Sequence, residues 1–130
     1  MSATGKRILV IDDEESIQRS LRAYLEDEGF EVVSAESGEE GLDILARGPV
    51  DAAVVDIRLP GMDGNVFMER AHDQYPRMVF LVCTGSVGYR PPESLRGLGV
   101  GEEDVLQKPL SDMSVLVAAI RKRLEERGRQ

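Results

Sequence analysis

Cysteine and histidine are nearly absent from the 130 residues: Cys83 and His72 are the single examples of each. A lone cysteine excludes an internal disulfide, and the two together fall short of the several Cys and His ligands that a zinc site requires. Such usage favours a reducing, cytoplasmic setting. Long hydrophobic runs are missing too, since no apolar stretch approaches the roughly 20 residues that span a bilayer. Residues 1–7, MSATGKR, lack the apolar centre of a signal peptide. A soluble chain without membrane insertion is expected. Positive charge is in deficit, with 16 Lys plus Arg against 24 Asp plus Glu and a formal net charge of −8. That balance opposes direct contact with nucleic acid or an anionic membrane. The basic residues of 121–130 read as the solvated face of a fraying helix end, not a nucleic-acid arm.

With 42% hydrophobic and 31% charged residues, the chain can bury a core, and its length fits one domain over residues 1–130. Three short apolar runs, Ile8-Leu9-Val10-Ile11, Ala52-Ala53-Val54-Val55 and Val79-Phe80-Leu81-Val82, have the pattern of parallel strands buried on both faces. Weaker runs at Glu31-Val32-Val33-Ser34 and Asp104-Val105-Leu106-Gln107 read as strands nearer an edge.

Helical spacing fills the intervals. Ile17, Leu21, Tyr24 and Leu25 form one stripe, ended by Gly29. Ser37 caps a second helix that buries Leu42, Leu45 and Ala46 and stops at Gly48-Pro49. Asn65 is the expected cap of a third, running to about Gln74. Ser111 or Asp112 caps the last, which buries Met113, Leu116, Val117, Ile120 and Leu124. Between Thr84 and Asp104, five glycines and two prolines leave room for a short helix at most. Alternating strands and helices imply an α/β fold, a five-stranded parallel sheet flanked by helices on both faces, with a fourth helix that is short or irregular.

In such sheets ligands bind at the carboxyl ends of the strands. Asp12 and Asp13 follow the first strand, Asp56 the third, Thr84 the fourth and Lys108 the fifth. Three gathered carboxylates repel one another unless a cation neutralises them, and hard oxygen donors suit Mg²⁺. A lysine and a threonine facing them suit the oxygens of a phosphoryl group. Asp56, on the central strand, is placed to act as the nucleophile that forms an acyl phosphate.

Four pieces in order, Ile11-Asp12-Asp13-Glu14, the run from Val54 through Asp56-Ile57-Arg58-Leu59-Pro60-Gly61-Met62-Asp63-Gly64, Thr84-Gly85 and Lys108-Pro109, carry a resemblance. The chain resembles a response-regulator receiver domain, the phosphoacceptor module of two-component signalling. The resemblance implies the flavodoxin-like strand order 2-1-3-4-5. It further implies that Asp56 accepts a phosphoryl group from a sensor histidine kinase or a histidine phosphotransfer protein. Asp13, Asp56 and the backbone carbonyl of Arg58 would hold Mg²⁺, with Asp12 acting mostly through a bound water. Thr84 and Lys108 would engage the bound phosphoryl, and the Lys108–Pro109 bond would be cis. Such a domain catalyses only its own phosphotransfer and dephosphorylation.

Two departures stand out. Receivers usually carry an aromatic residue three positions before the lysine, where this chain has Val105. Tyr89, in the preceding loop, is a candidate substitute, beside the simpler reading of a half-exposed loop tyrosine. Arg58 occupies a position that in this family faces the phosphoryl group. Cys83 reads as a buried structural thiol and His72 as a surface residue.

Alternatives are a magnesium-dependent phosphohydrolase using an aspartyl phosphate, a flavodoxin-like nucleotide or flavin binder, and a phosphorylation-independent docking domain. The first would want its aspartates one residue apart and a substrate cap. The second would want a Gly-, Ser- and Thr-rich loop where Asp12-Asp13-Glu14-Glu15 stands. The third would want a missing site residue. Output is expected through a downstream protein partner, an output domain of a longer regulator, or a phosphorylation-dependent homodimer.

Overall fold

A computed structural model describes residues 5–129. Five strands, β1 (Arg7–Ile11), β2 (Glu31–Ala35), β3 (Ala52–Val55), β4 (Val79–Thr84) and β5 (Val105–Gln107), form one sheet in the order β2-β1-β3-β4-β5. Every pairing is parallel. The helices α1 (Glu15–Asp27), α2 (Gly38–Arg47), α3 (Gly64–Gln74), α4 (Glu93–Arg96) and α5 (Met113–Gly128) connect and follow them. The two weaker runs are the edge strands, as their mixed polarity requires.

Because side chains alternate along a strand, each central strand feeds two cores. Leu9, Ile11, Ala53 and Val55 pack with Leu45 of α2, Phe67 and Met68 of α3 and Leu95 of α4. Ile8, Val10, Ala52 and Val54 pack with Leu21 and Leu25 of α1 and Leu116, Val117 and Ile120 of α5. Cys83 belongs to the second core and is 3% exposed.

Ser37 caps α2 by accepting from the Glu40 amide at 3.1 Å, and Asp112 caps α5 by accepting from Ser114 N at 2.9 Å. Three expectations are corrected. Asp63, not Asn65, caps α3, accepting from Val66 N at 2.9 Å. Asn65 lies inside the first turn. Ala46 is exposed, because α2 turns Gly41 toward the sheet instead. A Cβ on Gly41 would lie 2.7 Å from Ile11 Cδ1 and 2.9 Å from Phe67 Cε1, so only glycine allows this approach. Finally, the chain end does not fray over 121–129. It stays helical to Gly128, with Arg127 bound to Asp51 at 3.1 Å and Arg121 to Glu28 at 3.2 Å. Gln130 lies outside the described residues.

The β4–β5 connection contains a single helical turn, α4, as its prolines and glycines dictate. Leu95 plugs the core from it and is fully buried, while Ser94 Oγ donates to Glu69 of α3 at 2.7 Å. A 3-10 turn, Glu102–Asp104, leads into β5. Asp104 is 2% exposed, and the Arg123 guanidinium of α5 clasps both its oxygens, Nε to Oδ1 at 2.6 Å and Nη2 to Oδ2. At the opposite edge of the sheet, Arg22 of α1 donates to Val32 O and Ser34 Oγ of β2, each at 3.1 Å.

Candidate functional site

The site lies at the carboxyl ends of β1, β3, β4 and β5, where the connections splay apart. Asp12 is tied at every polar group. Its N–H donates to Ala35 O at 3.1 Å, its carbonyl accepts from the Gln18 side-chain amide at 2.5 Å, and Oδ1 accepts from Glu14 N at 2.9 Å. Oδ2 accepts from Lys108 Nζ at 2.5 Å. Asp13, the next residue, is exposed.

Asp56 ends the central strand. Its N–H donates to Ile11 O at 2.9 Å, holding β3 in register with β1. Its Oδ1 accepts from Ile57 N at 2.7 Å, and its Oδ2 faces Lys108 Nζ at 3.1 Å. Gly64, the first residue of α3, abuts this strand end. A Cβ there would collide with the Asp56 carbonyl and lie 2.9 Å from Ile57 Cα. The helix thus starts against the site because residue 64 has no side chain.

Asp12, Asp13 and Asp56 each offer an oxygen within 4.8 Å of the others. Such a donor set, all hard carboxylate oxygen and open on the Asp13 side, fits Mg²⁺. Lys108 sits among these acids, not across from them: beside the two short contacts, Nζ is 3.8 Å from Glu14 Oε1. Burial pushes the Asp12 carboxyl above the usual carboxylate range, opposed by the hydrogen bonds from Lys108 and the Glu14 amide. Burial also works against the Lys108 charge, yet its bonds to Asp12 and Asp56 prevail and hold the ammonium above the ordinary lysine range. The Lys108–Pro109 peptide is cis.

Thr84 is fully buried. Its carbonyl accepts from Lys108 N at 2.8 Å and from Gln107 Nε2 at 3.0 Å, which ties β4 to β5 beside the lysine. Its hydroxyl accepts from Ser86 N at 3.1 Å and so anchors the loop that follows. The Arg58 side chain is exposed. Its loop is gripped from α2, where Glu39 Oε2 accepts from Met62 N at 3.2 Å.

All five residues expected at the rim are therefore gathered there. Sequence reasoning did not find Gln18, which stitches the carbonyls of Asp12 and Ala35 (2.5 and 3.3 Å), or Glu39. Both act on backbone groups, which carry no residue signature. Tyr89, the candidate substitute for the missing aromatic, is half-buried. Its hydroxyl donates to Asn65 Oδ1 at 2.5 Å, and its ring packs against the same core as Val105. Burial pushes its phenol up to about 12, with the Asp63 charge adding to the effect.

Comparison with known proteins agrees with this geometry. Residues 8–121 match the model of the response regulator receiver domain family. The chain is 34% identical over 123 residues to the alkaline phosphatase synthesis transcriptional regulatory protein PhoP of Bacillus subtilis, covering 93% of this chain and 50% of that protein. A CheY-like receiver domain from Methanospirillum hungatei superposes with a TM-score of 0.82 at 34% identity, covering 95% and 97% of the two chains. The response regulator TrrA of Thermotoga maritima, solved with Mg²⁺ and a beryllium fluoride group, gives 0.80 at 29% identity, covering 91% and 98%. The chain spans about half the length of the curated relatives it matches. Among the described residues, no helix is long and apolar enough to cross a membrane.

Proposed function

The chain belongs to the response regulator receiver domain family of two-component signalling, and from that premise we propose that Asp56 is its phosphoacceptor. The donor is a phosphohistidine on a sensor histidine kinase or a histidine phosphotransfer protein. Carrying this reading is the convergence of the Asp12, Asp13 and Asp56 carboxylates within 4.8 Å, with Lys108 bridging two of them.

Asp12, Asp13 and Asp56, with the backbone carbonyl of Arg58, would hold Mg²⁺. When bound, the ion supplies positive charge to the carboxylates and to the entering phosphoryl oxygens. The chain's own residues do the rest. The Ile57 amide fixes the Asp56 rotamer through Oδ1, so the carboxylate is aimed before the donor arrives. A carboxylate oxygen of Asp56 attacks phosphorus, the P–N bond breaks, and its electron pair returns to the imidazole. Lys108, already protonated beside Asp56, pairs with a phosphoryl oxygen, and the Thr84 hydroxyl donates to another. Hydrolysis of the acyl phosphate by water ends the signal.

The setting for such an exchange is cytoplasmic, where sensor kinases present their histidines. Output passes to a protein surface or to an output region of a longer regulator; the −8 charge of this domain disfavours direct contact with nucleic acid. Incubation with a small phosphodonor and magnesium, followed by intact-mass measurement, tests the assignment. One phosphoryl adduct is expected on the wild type, lost with chelator and absent from Asp56→Asn. An adduct that persists in Asp56→Asn would move the acceptor elsewhere.

A further inference from the structure

The segment between Thr84 and α4 is held to the domain in an unusual way. Val87, near its centre, is 93% exposed, so no apolar side chain pins the tip. Gly85 and Gly88 have open space where a Cβ would stand, and Gly88 adopts φ +78°. Two side-chain bonds flank this tip as tethers, while farther on Arg90 pairs with Glu102 at 3.6 Å and Pro91 O accepts from Arg96 Nε at 3.0 Å. At one end Thr84 Oγ1 accepts from Ser86 N at 3.1 Å. At the other, the Tyr89 hydroxyl donates to Asn65 Oδ1 at 2.5 Å.

The two tethers lead to opposite sides of the site. Thr84 follows β4 directly, whereas Asn65 sits in the first turn of α3, beside Gly64, which abuts the Asp56 carbonyl. Tyr89 thus links the loop beyond the threonine to the helix that begins against the phosphoacceptor. In this arrangement Ser86 Oγ is buried and has no hydrogen-bond partner among the described residues. A buried unsatisfied hydroxyl marks an arrangement held by other contacts at a cost, and such segments are poised to rearrange when a tether is withdrawn.

We propose that the Tyr89–Asn65 hydrogen bond is the latch through which occupancy of Asp56 is passed to the exposed surface of the β4–α4 loop. The inference rests on the phosphoacceptor reading above. When the Thr84 hydroxyl turns to a phosphoryl oxygen, it gives up Ser86 N, and of the two bonds flanking the tip the latch alone is left. The latch opens, Tyr89 leaves Asn65, and the surface carrying Val87 changes shape. Val105 cannot serve this role, having neither a ring nor a polar end. A phenol whose proton is retained well beyond neutral pH remains a donor throughout.

Fluorine NMR of the full chain labelled with 3-fluorotyrosine reads this directly. Only Tyr24, Tyr75 and Tyr89 contribute signals, and Tyr89→Phe assigns the third. Addition of beryllofluoride with magnesium is expected to displace the Tyr89 signal by more than its linewidth. Tyr24, and Tyr75, whose hydroxyl is bound to Leu45 O on α2, should stay in place. Tyr89→Phe keeps the ring and loses only the bond. Its Ser86, Val87 and Gly88 amide signals should move, without beryllofluoride, toward the positions they take in the loaded wild type. Asn65→Leu should do the same, and Asn65→Asp, which retains an acceptor oxygen, should restore the resting spectrum. A Tyr89 signal that stays fixed while the Thr84 and Lys108 amides shift would overturn the latch and leave the phosphoacceptor reading intact. If Thr84 and Lys108 are also silent and no phosphoryl adduct forms, the phosphoacceptor reading fails, and the latch with it.

Discussion

Lys108→Met should lower the stability of the fold and make it more responsive to magnesium than the wild type is. The lysine side chain is 13% exposed, and its partners Asp12 and Asp56 are 3% and 8% exposed, so solvent screens little of the interaction. Removing one partner of a buried ion pair leaves the other uncompensated, at a cost of about 3 to 5 kcal/mol. The lower end applies, because the site opens to water at Asp13. An unfolding entropy of about 2.1 cal/mol/K per residue converts about 3 kcal/mol in a chain of this size into a fall in Tm of about 11 °C. Magnesium bound among the carboxylates would replace the missing charge. At tenfold excess over its dissociation constant it stabilises any binding fold by about 1.4 kcal/mol, and the variant, with no lysine competing for the carboxylates, binds it more tightly and gains more. Urea denaturation of both proteins in chelator and in saturating magnesium gives the four numbers required. A loss under about 1 kcal/mol in chelator, the range of exposed pairs, would refute the reasoning. Equal gains from magnesium in the two proteins would refute it as well.

Three further outcomes follow from the geometry. Burial pushes the Cys83 thiol from 9.0 up to about 11; between those values the unfolded chain ionises and the folded one does not, so stability falls as pH rises, by about 3 kcal/mol in all. Denaturation of the wild type and Cys83→Ala at pH 8 and pH 11 isolates this contribution, which the variant should lack. Arg123→Met strands the buried Asp104 carboxylate and should cost about 2 to 3 kcal/mol, below the full range for buried pairs because the arginine is 28% exposed. Pairing it with Asp104→Asn should recover part of that loss, and a double variant no more stable than Arg123→Met would count against a charge effect. Gly41→Ala forces a methyl into the Ile11–Phe67 contact and should destabilise by about 1 to 3 kcal/mol by thermal unfolding; an unchanged Tm would show that α2 can back away freely.

The strands and the acidic rim were legible because each depends on local pattern: β-branched runs buried on both faces, and polar residues placed just beyond them. What escaped depends on contacts between distant segments. Asp63 and Asn65 have equivalent capping chemistry, and the choice falls to Asp63 because Gly64 must stand against Asp56 and Ile57. Ala46 fits the helical stripe of α2 as well as Gly41 does, but only glycine permits the close approach to Ile11. The last turns of α5 look like a solvated end until Arg127 meets Asp51, 76 positions away. Lys108 was expected opposite the acids, and its place among them reflects two buried carboxylates that need a cation close by.

Arg22 closes one border of the sheet. Among the described residues β2 has no neighbour on its outer side, and the Val32 carbonyl points there, where a strand from another molecule could add itself. The guanidinium already occupies that acceptor. An intruding backbone must displace a charged group to reach that acceptor, so the border of β2 resists a foreign strand at Val32.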